Sequence, residues 1–152
     1  GEMATYLGMT APMSVFALVS WLRNPHNGNK AEVEIARLKK AAIFNMVVLA
    51  VIVTVVFYFI LRAFNTSNLV SSTASVTTSF LAVYMTYKRS TFFALAYAAN
   101  DIILIVLWTL AALSDISYIP VITCFVLFLI NDIYTFINWT RMHKRQEISQ
   151  TV

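Results

Sequence analysis

The sequence predicts an all-α integral membrane protein with about five bilayer-spanning helices. Three observations carry that expectation. Of the 152 residues, 59% are hydrophobic and only 12% charged, too little charge to cover the surface of a soluble domain. The apolar residues gather into runs of bilayer length, and the basic residues flank those runs instead of forming a patch.

Roughly 20 mainly apolar residues cross a bilayer, and five runs qualify, approximately 3–22, 42–63, 69–87, 91–113 and 117–139. Helices are the structure expected, because open strands in lipid would leave backbone groups unpaired. In the first run Gly8 and Pro12 interrupt the pattern and predict a kink. The segment 1–22 is therefore one helix, 23–41 a loop, 42–63 a second helix, 69–140 three helices, and 141–152 a tail. The chain opens Gly1-Glu2-Met3-Ala4 with no basic n-region or cleavage site, as though it began just outside a helix.

Charge orients the bundle. Arg23, Lys30, Arg37, Lys39 and Lys40 lie between the first two runs, Lys88 and Arg89 between the third and fourth, and Arg141, Lys144 and Arg145 after the fifth. These are alternate connections, so ten of the eleven basic residues share one side and only Arg62 lies on the other, where its stem can snorkel. The positive-inside rule then places the C-terminus in the cytoplasm. The long loop opens with the turn-rich Asn24-Pro25-His26-Asn27-Gly28. From Lys30 to Lys40 it reads either as an interfacial helix or as a solvated connector.

Several function classes find no support in the residues. A net charge of +4 spread over loops does not make a nucleic-acid surface. Cys124 is the single cysteine, and His26 and His143 lie far apart in sequence. No metal, cofactor or catalytic residue set is expected, and hence no enzyme.

The runs differ in chemistry. The second is apolar from Met46 to Ile60 apart from Thr54 and reads as a tether. The third carries Ser71, Ser72, Thr73, Ser75, Thr77, Thr78 and Ser79, small hydroxyls that favour close helix packing over contact with a ligand. The fourth holds Tyr97, Asn100 and Asp101, with Trp108 eight residues after Asn100. The fifth holds Asn131, Asp132, Tyr134 and Asn138, with Trp139 eight residues after Asn131. A carboxylate at mid-membrane costs at least ~2.5 kcal/mol, so two Asn-Asp pairs predict inward-facing polar positions on a ligand pathway. Interhelical glue is the competing reading, but two carboxylates facing each other would need a proton or a cation. For the three tryptophans an interfacial belt is the default role.

Phe16-Ala17-Leu18-Val19-Ser20-Trp21-Leu22-Arg23 can be laid over Tyr134-Thr135-Phe136-Ile137-Asn138-Trp139-Thr140-Arg141 at a constant offset of 118. The aromatic, the small polar residue, the Trp and the Arg coincide. Both segments run in the same direction, which describes a parallel repeat.

The stretch Phe92 to Arg145, with Asn100, Trp108 and Asn131-Asp132-Ile133-Tyr134…Asn138-Trp139-Thr140-Arg141, resembles the C-terminal half of the PnuC family of nicotinamide riboside transporters. Pro12-Met13-Ser14…Trp21-Leu22-Arg23-Asn24-Pro25 is similar to the end of that family's third helix. The resemblance implies a SWEET-like 3+1+3 fold of two parallel three-helix repeats and a linker. The spans here would be helices three to seven, with 1–22 closing the first repeat, 42–63 the linker and 69–140 the second repeat. The chain would then be a fragment or a short member lacking two helices.

It further implies a trimer in the bacterial cytoplasmic (inner) membrane that takes up a vitamin by facilitated diffusion, with relatives of the fold carrying thiamine or riboflavin. A structural membrane subunit or a channel is the alternative of another class. The expected substrate-binding residues are Tyr97, Asn100, Asp101, Trp108, Asn131, Asp132, Tyr134, Asn138 and Trp139. This chain departs from the family pattern at Phe92 and Phe93, at Ala11-Pro12-Met13 and at Thr135.

Overall fold

The computed structural model describes residues 5–151. Met3 and Ala4 of the first run, all of Gly1–Ala4 in the segment 1–22, and Val152 of the tail lie outside the described residues. Five α-helices stand among the described residues: α1 (Ala11–Arg23), α2 (Lys40–Ala63), α3 (Leu69–Tyr87), α4 (Phe93–Ala112) and α5 (Ile119–Thr151). Of these, α2, α4 and the segment Ile116–Thr151 are long and apolar enough to cross a membrane by length and composition. The helix α3 starts and ends where the apolar run predicts.

Where the first run is expected to be interrupted, the helix changes type. Pro12 has no N–H to give to Gly8, four residues back, and the turn ahead of it, Tyr6–Thr10, is wound wider as a π-helix. The hydroxyls of α3 cost little because the helix satisfies many of them. Thr73, Thr77 and Thr86 donate to the carbonyls of Leu69, Thr73 and Ala82 at 2.7, 3.1 and 2.8 Å.

Chain order α3–α4–α5 is also packing order, with α1 and α2 both seated on α3. On its α3 side α2 buries Met46, Ala50 and Leu61 against Val76, Phe80 and Tyr84. Thr54 Oγ1 of α2 meets Thr77 Oγ1 at 2.7 Å. The remaining faces of α2 expose Phe44, Val47, Val51, Val55 and Phe59, apolar groups that suit lipid and not water.

Two connections differ from expectation. No interfacial helix forms in 30–40. Pro25–His26 and Asn29–Val33 pair instead as a short antiparallel hairpin, β1 and β2, and the chain then runs extended to Lys39. Asn27 and Gly28 both take positive φ, 48° and 74°, as a two-residue type I′ turn demands; an Asn-Gly pair is the favoured occupant. The fifth helix does not stop near residue 139 but continues through the tail to Thr151.

Those two corrections are linked, because hairpin and tail hold each other. Gln146, only 3% exposed, accepts from the Ile35 amide at 3.0 Å and donates to Val33 O and Glu32 Oε1, each at 3.0 Å. Arg145 reaches Glu32 at 2.7 Å, and Arg37 pairs with Glu147. The Gln146 and Arg145 hydrogen bonds hold the Glu32 carboxyl below its ordinary value of 4.5. Arg89, at φ 56°, closes α3 and ties the same segment down: its guanidinium donates to Glu34 O, and its carbonyl accepts from the Ala36 amide.

Candidate functional site

The helix α4 lies between α3 and α5, and this decides where its Asn-Asp pair points. Successive helical residues are about 100° apart, so one face of the pair meets each neighbour. Asn100 and Asp101 are 7% and 5% exposed. Asn100 turns to α3, where its Oδ1 accepts from Ser75 Oγ, Thr78 Oγ1 and Ser79 Oγ at 3.0, 2.9 and 3.1 Å. Asp101 turns to α5, where its carboxyl faces that of Asp132. Asp101 Oδ2 is buried without a donor partner. Two facing carboxylates at membrane depth need a cation or a proton between them.

On α5 the same 100° step has the opposite consequence. That helix has a helical neighbour on one side only, so Asp132 faces α4 while Asn131 is exposed and Tyr134 is 65% exposed. Asn131, Tyr134 and Asn138 lie at i, i+3 and i+7 along another face. The expectation that both Asn-Asp pairs turn inward together therefore holds for α4 and not for α5.

At the basic end, an aromatic cluster joins three helices. Trp139 packs on Phe93 with centroids 4.6 Å apart and on Trp21 at 5.1 Å. Trp21 meets Phe93 at 6.0 Å, and Phe93 meets Tyr97 at 6.4 Å. Trp21 Nε1 donates to Thr86 O at 2.7 Å and Ser20 Oγ to Tyr87 O at 2.9 Å. These bonds tie α1 to the carbonyl end of α3, where the Thr86 carbonyl also accepts from the Arg89 amide. Beside this cluster lies a cavity of about 200 Å³ lined by Ser14, Ala17, Trp21, Val83, Thr86 and Tyr97. The Tyr97 hydroxyl faces Thr86 and Asp132, so Tyr97 links the cavity to the carboxyl pair.

Trp108 stands apart at the opposite end, against Tyr118 at 5.1 Å, with its indole Nε1 buried and unpartnered. The structure thus brings together Tyr97, Asp101, Asp132 and, through Phe93, Trp139. Asn100 adjoins them on the α3 side and Asn131, though exposed, is hydrogen-bonded to Asp132, whereas Trp108 and Tyr134 stand apart. Sequence reasoning did not single out Phe93, Trp21 or the Ser75/Thr78/Ser79 set as partners of these residues. The hydroxyls were visible as a stripe, but only the α3–α4 contact shows that three of them converge on one amide.

A family model described as Nicotinamide mononucleotide transporter matches residues 1–141. In fold, the chain is similar to the crystal structure of the vitamin B3 transporter PnuC, with a TM-score of 0.76 and 24% identity. The likeness covers 96% of this chain and 64% of that one, so the chain spans about 64% of the length of the structure it matches. A search of curated proteins returns no significant match. With its family match running from the first residue to Arg141, and with five helices packed in a fold shared with PnuC, the chain belongs to the nicotinamide mononucleotide transporter family.

Proposed function

We propose that this chain carries nicotinamide riboside across the bilayer by facilitated diffusion through a mid-membrane site. The observation that carries the reading is the Asp101–Asp132 pair facing across α4 and α5 in a chain of this family. The pyridinium of nicotinamide riboside is a fixed cation, and a cation is what two facing carboxylates lack. The family description would also admit the mononucleotide, which adds a phosphate. Against it stands the charge distribution: no Lys or Arg lies at the depth of the two Asp residues, each flanking an apolar run or, for Arg62, standing in the last turn of one. A phosphate there would meet carboxylates and no counter-charge.

In this reading Asp101 and Asp132 supply the negative potential, and Tyr97 and Trp139 offer aromatic faces to the ring, with cation–π attraction up to about 2 kcal/mol once desolvated. Asn100 has its oxygen engaged by three hydroxyls and retains its Nδ2 donors for the amide or ribose. Asn131, Tyr134 and Asn138 present a second polar face, and Trp108 closes the end opposite the basic one. Rocking of one repeat against the other would alternate access.

We further propose the helical assignment behind that motion: 1–22 as the last helix of a first repeat, 42–63 as the linker and 69–140 as the second repeat. The exposure of α2 on the faces away from α3 supports its role as linker. The assembly proposed is a trimer in a bacterial cytoplasmic membrane, with the basic end and the tail 141–152 in the cytoplasm.

The deciding experiment is uptake of labelled nicotinamide riboside into proteoliposomes, with unlabelled thiamine, riboflavin and nicotinamide mononucleotide as competitors. Saturable uptake blocked by the riboside and not by the mononucleotide is the expected result. Block by thiamine or riboflavin alone would reassign the substrate. Linear, unsaturable flux would indicate a channel, and no flux would leave a structural subunit.

A further inference from the structure

We infer that the cleft at the basic end, between the hairpin-to-α2 segment, the start of α4 and the end of α5, is a binding site for an anionic phospholipid. Its volume is about 490 Å³, within the range of small-ligand pockets, and it is separate from the cavity beside Tyr97. Its lining changes character along its length. Ile43, Phe92 and Phe136 form an apolar floor inside the apolar runs. Arg37 and His143 stand at the rim, with the hydroxyls of Ser90, Thr91 and Thr140 at the edge. Phe136 and His143 are seven residues apart on one helix, about 10 Å along its axis. Apolar floor and basic rim are thus separated by about the distance between an acyl chain and its headgroup phosphate.

Charge selects the headgroup. Arg37 and His143 line the cleft, and the basic residues Lys39, Lys40, Arg141, Lys144 and Arg145 and the acids Glu32, Glu34 and Glu147 lie within five residues of them in sequence. Arg145 is held by Glu32, and Arg37 is paired with Glu147, which also lies 3.4 Å from His143. The pairing holds Arg37 at the cleft instead of leaving it free, while Lys39, Lys40, Arg141 and Lys144 remain in excess. The Thr91 hydroxyl offers a further donor at the same edge. A zwitterionic headgroup would gain little from this rim, whereas a phosphatidylglycerol phosphate would meet basic residues at the depth where it lies.

The test uses the purified, delipidated chain in detergent. Thermal unfolding is followed with added phosphatidylglycerol, phosphatidylcholine or inorganic phosphate, and retained lipid is counted by native mass spectrometry. Phosphatidylglycerol should raise Tm more than phosphatidylcholine does, and inorganic phosphate should not reproduce the shift. Ala36→Trp, which fills the cleft, should abolish the difference between the two lipids. Arg37→Gln should weaken phosphatidylglycerol binding about fivefold, the contribution of one basic residue near an anionic surface. Equal shifts with the two lipids, or phosphatidylglycerol retention unchanged in both variants, would overturn the proposal. A shift reproduced by inorganic phosphate would overturn it in favour of a simple anion site. No transport substrate is present, so a negative result here leaves the transport reading untouched.

Discussion

Trp21 and Trp139, 118 positions apart and equivalent in the short internal repeat, lie with their ring centroids 5.1 Å apart at an angle of 43°. The two helices make little other contact; α1 is seated on α3 and α5 on α4. A pair of matching residues therefore bridges helices that are otherwise held through intermediaries, and Phe93 fills the angle between them. In the transport reading, this is where one repeat meets the other at the basic end.

A double-mutant cycle with Trp21→Leu and Trp139→Leu measures that bridge. Aromatic pairs contribute about 0.5–1.5 kcal/mol beyond area burial, and contacting residues are non-additive to a similar extent. The expected coupling in thermal or denaturant unfolding lies in that range. Strict additivity would mean that the rings are neighbours without interacting.

Asn100 should be more costly to replace than any hydroxyl around it. Asn100→Leu removes the shared acceptor of three hydroxyls, with a loss of about 1–2 kcal/mol, at the upper end of interhelical hydrogen bonds in membranes. Thr78→Val should cost less, because Ser75 and Ser79 keep Oδ1 satisfied. Unfolding in detergent with the single variants tests this ranking, and an equal cost for both would remove Asn100 as the centre of the α3–α4 contact.

Asp132→Asn separates binding from stability. It removes one of two facing like charges, so the empty protein should be at least as stable as before. Uptake of a cationic substrate should fall at least tenfold, the loss of about 1.4 kcal/mol of charge complementarity. Proteoliposome uptake and Tm are read on the same preparation. Lower stability with unchanged uptake would make Asp132 a packing residue.

The hairpin–tail clasp has a pH window set by Glu32. Its folded value is depressed below 4.5, first by the Gln146 hydrogen bond and then by that of Arg145. A depressed carboxylate contributes stability that is complete above its unfolded value and lost as pH falls through the folded one. Trypsin cleavage after Arg37 at neutral pH should be slow, and hydrogen exchange at the Ile35 amide, read directly across a pH series and corrected for its intrinsic pH dependence, should rise only well below pH 4.5. Glu32→Gln should flatten that profile. Gln146→Ala should raise cleavage at neutral pH, since it leaves the buried Ile35 amide without its acceptor at a cost of about 1–3 kcal/mol.

Much of the architecture was determined by residues acting locally. Apolar run length placed α2, α3 and α4 to within a residue or two, since a bilayer admits only helices of about that length. Pro12 and Gly8 marked the distorted turn because a missing N–H needs no tertiary context. A turn was legible in Asn24 to Gly28, but the charges that follow it left an interfacial helix and a solvated connector both open. Gln146 decides against that helix by capturing the backbone of Ile35 and Val33 from 111 and 113 residues away. The extension of α5 to Thr151 has the same origin, because the tail finds a partner in β2.

What the sequence by itself determined is that this chain crosses the membrane on helices whose polar residues are too expensive to be idle. Only the tertiary structure decided which of them meet. Asn100 and Asp101 are both buried because α4 has neighbours on two sides, whereas α5 has one, so Asp132 turns inward and Asn131 does not. A helix offers adjacent residues 100° apart in every sequence. How many of those directions are occupied depends on contacts between segments distant in the chain, and no local pattern records them.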